Sequence, residues 1–184
     1  MKELSLHILD IAQNSLSAGC TRLDLTAAEH GDELTLVIAD DGRGMSREFL
    51  ASVTDPFTTT RTTRKVGLGL PLLRLAAEQT GGSLTIESAP GVGTTVTAVF
   101  HTGHIDCPPL GDMALTVALL VQGAPEVEVT YTRESGRGSF TFDTRQVRQI
   151  LGPEISLAEP EVFSWIQDYL AEQEAALSDS GRNQ

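Results

Sequence analysis

Asp10 and Asn14 stand four residues apart in HILDIAQNSLSAG. On a helix that spacing places a carboxylate and a neutral amide oxygen one turn apart, facing the same space. Two chemistries are open to such a pair. It is a solvated stripe on an amphipathic helix, or Asn14 gives a hard oxygen to a Mg²⁺ already chelated by phosphates while Asp10 orients or deprotonates an attacking hydroxyl or water. Mg²⁺ takes few protein ligands, so one Asn beside a triphosphate is chemically sufficient.

Asp40, Gly42 and Gly44 form D-x-G-x-G directly after the apolar run 34–39. An Asp at a strand end can be partly buried and accept a hydrogen bond from an exocyclic amine, while the glycines let backbone approach a flat ring. By itself the pattern also reads as an ordinary Asp-Gly turn. Farther on, Gly67-Leu68-Gly69-Leu70 opens a helix, whose free amides and positive dipole end suit phosphate oxygens. Arg61, Arg64 and Lys65 add local charge beside it. The stretch is not a Walker loop, because no G-x-x-x-x-G-K-[ST] occurs in the chain. Thr95, in Gly93-Thr94-Thr95, begins a strand where a hydroxyl could meet a ligand.

These residues need elements to hold them. Apolar spacing predicts a helix over 4–18, leaving His7, Asp10, Asn14 and Ser17 as a narrow polar stripe and Gly19 as a stop. Alternation predicts paired strands over 22–28 and 33–39 about His30-Gly31-Asp32, and strands over 83–88 and 94–100 about Pro90-Gly91-Val92-Gly93. A short helix over 46–53, a long loop over 54–66 acting as a lid and a helix over 68–80 lie between them. The order α-β-β-α-α-β-β implies an α+β fold, helices on one face of a mostly antiparallel sheet. The run 101–111, with Pro108-Pro109, marks a boundary between residues 1–103 and a C-terminal α+β appendage, 104–184. The appendage is expected to contain helices over 112–121, 144–151 and 159–177, with strands over 127–133 and 139–143. Val162, Phe163, Trp165, Ile166, Tyr169 and Leu170 make there an apolar helical face that reads as core-facing rather than as a partner groove.

The chain has 184 residues with 13 Lys+Arg against 25 Asp+Glu, a formal charge of −12. Such a field disfavours a nucleic-acid backbone or an anionic membrane as partner. Residues 101–184 hold 5 basic and 13 acidic groups, so the surplus concentrates in the appendage. No window reaches the ~20 apolar residues of a membrane span and no signal-peptide pattern opens the chain, which points to the cytoplasm. Cys20 and Cys107 have no neighbouring Cys or His at metal-ligand spacing and read as small structural residues. His7, His30, His101 and His104 read as structural or exposed.

In order and spacing, HILDIAQNSLSAG, DDGRGM, DPFTTTRTTRKVGLGLPLL and GVGTTV resemble the four ATP-site boxes of the GHKL superfamily. That superfamily comprises gyrase, the heat-shock chaperone ATPases, histidine kinases and MutL. The resemblance covers roughly residues 3–100 and implies the Bergerat fold, a two-layer α/β sandwich binding Mg·ATP. By position it makes Asn14 the Mg²⁺ ligand and Asp40 the acceptor for the adenine amine. Gly42 and Gly44 would border the base. Gly67, Leu68, Gly69 and Leu70, with Arg64 and Lys65, would meet the phosphates, and Thr95 would assist at the adenine.

NSLSAGCTRLDL is closest to the mismatch-repair type, and DPFTTT followed by GLGLPLL to histidine kinases. MutL and the anti-sigma-factor kinases carry a glutamate where this chain has Asp10, one methylene shorter. Only six residues precede His7, so the resemblance implies an ATP-binding protein without the dimerisation and phosphoacceptor helices of a histidine kinase. Two functions remain open at this point. One is a kinase or ATPase that transfers the γ-phosphate to a partner protein, with Asp10 as base. The other is an ATP-dependent switch with slow or no hydrolysis. The oligomeric state is open.

Overall fold

The computed structural model describes residues 3–53 and 69–178. Its first hairpin follows from period-two alternation. Leu23, Leu25 and Ala27 of β1 (Arg22–His30) and Leu34, Leu36 and Ile38 of β2 (Glu33–Asp40) are all buried, and the two strands pair antiparallel. A second hairpin, β3 (Ser83–Ala89) and β4 (Gly93–His101), joins through β4 to β2 and contributes Val96, Ala98 and Phe100 to the same buried face. That face is covered by α1 (Leu4–Ser17) and α3 (Gly69–Gln79), while the short α2 (Arg47–Ser52) sits beside β3.

The C-terminal half is built into the same sheet. Beyond α4 (Met113–Gly123), β5 (Glu128–Ser135) pairs parallel with β1, and β6 (Gly138–Asp143) pairs antiparallel with β5. The strand order is β3-β4-β2-β1-β5-β6. Helix α5 (Thr144–Leu151) packs on β5, whereas α6 (Pro160–Ser178) packs mainly on α4. The buried apolar residues of both halves form one cluster. The result is the expected α+β sandwich, with a mixed six-stranded sheet and a single core.

The opposite sheet face carries none of this core. Its middle rank runs Thr85, Thr97, Val37, Thr26, Thr132 and Thr141 across all six strands in register. Thr is β-branched and suits a pleat, while its hydroxyl keeps the face wet.

Helix α1 lacks a side-chain N-cap at Glu3, so its first amides need other partners. The proline-containing run between the halves supplies them: Leu4 N donates to Pro109 O at 3.0 Å and Ser5 N to Leu110 O at 2.7 Å. Gly19, at φ 76°, closes the other end in the left-handed region.

Two expectations are corrected. Leu6, whose apolar side chain fits the spacing that predicts α1 as a mostly buried helix, is exposed on its outer side. The α6 stripe divides by helical angle, so that Val162, Ile166 and Leu170 are buried while Trp165 is 49% exposed. The loop over 54–66 lies outside the described residues. Among the described residues no helix is long and apolar enough to cross a membrane.

Arg133 of β5 is the one cation pulled into this core among the described residues, 6% exposed. Its guanidinium donates to Glu29 at 2.7 Å, to Glu174 of α6 at 3.2 Å and to the carbonyls of Ala27 and Glu134 at 3.3 and 2.7 Å. Glu174 also accepts from the buried hydroxyl of Tyr131. The network joins β1, β5 and α6 away from the Asp40 end of the sheet. Glu29 and Glu174 stay partly open to water, so Arg133→Ala should lower unfolding free energy by about 1.5–3 kcal/mol, the scale of lost charged hydrogen bonds. Chemical denaturation would measure it, and Arg133→Met, which restores volume but strands the carboxylates, should also be destabilising.

Candidate functional site

The sheet end formed by Asp40 opens into a cavity of about 600 Å³. Its walls are apolar: Ile11 from α1, Ile38 from β2, Val96 from β4, Leu70 from α3, and Met45, Phe49 and Val53 from α2 and the turn before it. Asn14 and Ser15 of α1 and Asp40 of β2 supply the polar part of the lining, with Thr94, Ser46 and Arg43 toward the rim. This is a small-molecule profile, an apolar slot with a few converging polar groups.

The Asp40 carboxylate is oriented before any ligand arrives. Ser15 Oγ donates to Oδ2 at 2.6 Å and Gly42 N donates to Oδ1 at 2.8 Å. A carboxylate offers about four acceptor positions, so two remain for an incoming amine. Ser15 escaped the sequence reading. Its signal was the i+4 spacing from Ile11, which puts it on the buried side of α1 while Asn14 turns toward the cavity edge.

The loop after Asp40 is tied down on both sides. Arg43 N donates to Ala18 O at 3.1 Å and the Arg43 guanidinium to Ser17 O at 2.7 Å, fixing it to the C-terminus of α1. Asp41 accepts from the hydroxyl and amide of Thr21 and the amide of Arg22, and the Thr21 hydroxyl bond above all holds its carboxyl below the usual range. On the far side Met45 N donates to Ser88 Oγ at 2.9 Å and Gly91 N to Arg43 O at 2.7 Å. At Gly44 the backbone has φ 69°, and a Cβ there would lie 2.0 Å from Ala89 O. Only glycine lets the loop and the β3–β4 turn meet this closely.

The expected site residues do not all come together. Asn14, Asp40, Gly44 and Leu70 line the cavity. Asp10 and Gly69 are not on its wall, but they touch each other: a Cβ on Gly69 would lie 2.5 Å from Asp10 Oδ2, so the carboxylate rests against the first turn of α3. Gly42 supports Asp40 from behind rather than facing the cavity. Thr95 is corrected. On β4 the side chains alternate, Val96 faces the core, and Thr94 shares its side and lines the cavity. Thr95 therefore falls on the opposite face, in register with Ala39 and Glu87. Arg64, Lys65, Gly67 and Leu68 lie outside the described residues.

Burial raises the Cys20 thiol to about 11, with Asp40 and Asp41 adding to the effect, and burial also raises Cys107. Among the described residues no group of three or more His, Cys, Asp or Glu side chains could hold a metal ion. His7, the member of the polar stripe expected to be structural, is 3% exposed, and its Nδ1 has no partner. Desolvation lowers its pKa below that of an ordinary imidazole.

The family described as histidine kinase-, DNA gyrase B-, and HSP90-like ATPase matches residues 1–104. The histidine protein kinase DivJ of Caulobacter vibrioides is 35% identical over 101 residues, covering 52% of this chain and 17% of that protein. Sensor histidine kinase ZraS of Escherichia coli is 32% identical over 75 residues, 41% of this chain and 16% of its own length. Sensor histidine kinase AruS of Pseudomonas aeruginosa is 28% identical over 180 residues, 90% of this chain and 18% of that protein. The chain thus spans less than a fifth of the length of these relatives.

Two outcomes follow from the geometry. Gly44→Ala should lower the melting temperature and weaken any ligand of the cavity, because loop and turn must separate to admit the methyl group. Since folding depresses the His7 pKa, the unfolded chain takes up a proton that the folded chain refuses as pH falls below about 6.5, and stability declines with it. A stability profile between pH 7 and 5.5 should slope downward toward acid, and the slope should flatten in His7→Leu.

Proposed function

We propose that this chain, which belongs to the histidine kinase-, DNA gyrase B-, and HSP90-like ATPase family, binds Mg·ATP in the Asp40 cavity and transfers the γ-phosphate to a partner protein. The observation that carries the reading is the Asp40 carboxylate, held by Ser15 and Gly42 at the polar end of an apolar slot. Such a slot fits a flat heteroaromatic ring with an exocyclic amine. Stacking apolar walls desolvate the ring, and the carboxylate accepts the amine proton, a bond of the charge-assisted class.

The remaining residues fit the rest of the nucleotide. Asn14, on the cavity lining one helical turn from Asp10, would give an amide oxygen to the metal, and the first turn of α3 at Gly69 and Leu70 would meet phosphate oxygens with backbone amides. Bound Mg²⁺ would neutralise phosphate charge. Asp10, resting against Gly69, would hold the proton of an attacking hydroxyl or imidazole. Residues 1–103 would then form the nucleotide unit and 104–184 a recognition unit extending its sheet. Their acidic surplus suits a basic protein surface and not nucleic acid or an anionic membrane.

A switch without phosphotransfer is the second reading, and the observation that favours it is the absence of Asp10 from the cavity lining. Titration calorimetry should give saturable binding of ATP with Mg²⁺, weakened about tenfold or more in Asp40→Asn through loss of a charged hydrogen bond. No heat at millimolar nucleotide would overturn the site. With labelled ATP in cell extract, transfer to a protein that disappears in Asp10→Asn supports the kinase. Nucleotide-dependent partner binding without transfer supports the switch.

A further inference from the structure

A second cleft, sharing no lining residue with the Asp40 cavity, lies between α5 and α6. Val147, Ile150 and Leu151 of α5 form one wall, Val162 and Trp165 of α6 the other, and Ile155 sits between them, enclosing about 330 Å³. Three of these side chains are left in water: Ile150 is 77% exposed, Trp165 49% and Ile155 46%. Neither the core nor the nucleotide reading uses them. Trp165 is also held in place, its indole stacked on Tyr169 at 5.4 Å between centroids and 7° between planes.

The edge of the cleft is of one sign. Glu161 lines it, and on α6 Glu161 and Asp168 stand four residues before and three after Trp165, so a carboxylate flanks the indole one turn to either side. Between Arg148 and Arg182 the sequence has no Lys, Arg or His but seven Asp or Glu. The arginines of α5 are engaged elsewhere, Arg145 with Asp143 and Arg148 with the carbonyls of Pro125 and Val127. A small molecule would find no converging donors and acceptors, since the lining offers one carboxylate and otherwise apolar side chains.

We infer that this cleft is a docking groove for a basic amphipathic helix of a partner protein. Apolar side chains at i, i+3 or i+4, and i+7 of that helix would enter between Ile150 and Trp165, and Lys or Arg beside them would face Glu161 and Asp168. The charge pattern selects this occupant. A second copy of the chain would bring net charge −12 against an acidic rim, and an anionic bilayer would be repelled in the same way.

Trp165 is the chain's single tryptophan, so its emission reports the groove directly. The full chain is titrated with an amphipathic helical peptide of leucine and lysine, and with its leucine and glutamate counterpart. The lysine peptide should shift the emission to the blue with saturable binding that weakens as salt rises, and the glutamate peptide should not. Ile150→Asp, at an exposed position, and the double change Glu161→Lys with Asp168→Lys should each weaken the lysine peptide by about tenfold or more. Nucleotide binding should be unaffected, which separates failure here from failure of the ATP reading. Equal binding of both peptides, or insensitivity to Ile150→Asp, overturns the groove. A blue shift with phospholipid vesicles alone overturns it in favour of a membrane surface, and a dimer in sedimentation that Ile150→Asp dissolves overturns it in favour of a second copy.

Discussion

Helix α1 must be core on most of its circumference and wet along one edge, and the rest of the molecule is arranged around that requirement. Leu4, Ile8, Ile11 and Ala12 are buried against strands and against α3 and α4, each larger one contributing about 1.5–3 kcal/mol of burial. The same rigid cylinder carries Asn14 and Ser15 to the end of β2. Because packing fixes the helix, the hydroxyl of Ser15 is fixed too, and with it the carboxylate of Asp40. Stability of the core and orientation of the polar group in the cavity are thus one property of a single element.

The support reaches beyond the motif boxes of the sequence. The amides that open α1 are satisfied by carbonyls from the run before α4, and β5 flanks β1, the strand paired with the β2 that carries Asp40, so the C-terminal half supports α1 directly and β2 through its neighbour. The loop at Gly44 works in the opposite direction, tying the end of α1 to the turn between β3 and β4. A ligand at Asp40 therefore touches groups anchored in both hairpins.

Local pattern made most elements legible. Period-two alternation located β1 through β6 within about two residues, and the stripe of Asp10, Asn14 and Ser17 located α1, because those signals depend only on which side of a backbone faces water; His7, counted in that stripe, is buried. Asn14, Asp40 and Gly44, singled out by residue type at a strand or helix end, do line the cavity. What escaped depended on direction or distance. Thr94 and Thr95 are chemically alike, and only the register of β4 against β2 says which enters the cavity. Ser15 looked like core spacing. The exposure of Trp165 depends on how α6 is rotated over α4, which no periodicity within α6 can state. The parallel pairing of β1 with β5 joins residues with no local signature of one another.

That pairing has a consequence for how the chain comes to exist. Asp24 and Thr130, hydrogen-bonded neighbours across it, are 106 residues apart in sequence. Contacts of such separation form late, because the loop must close before the contact rewards it. On a ribosome adding about 5–20 residues per second, β1 waits of the order of ten seconds for its partner to be synthesised. During that interval the nascent hairpins expose a row of unpaired amides and carbonyls on an apolar strand, the configuration that recruits chaperones or other strands. The thermodynamic gain of a six-stranded sheet is thus tied to a period of vulnerability during its own synthesis.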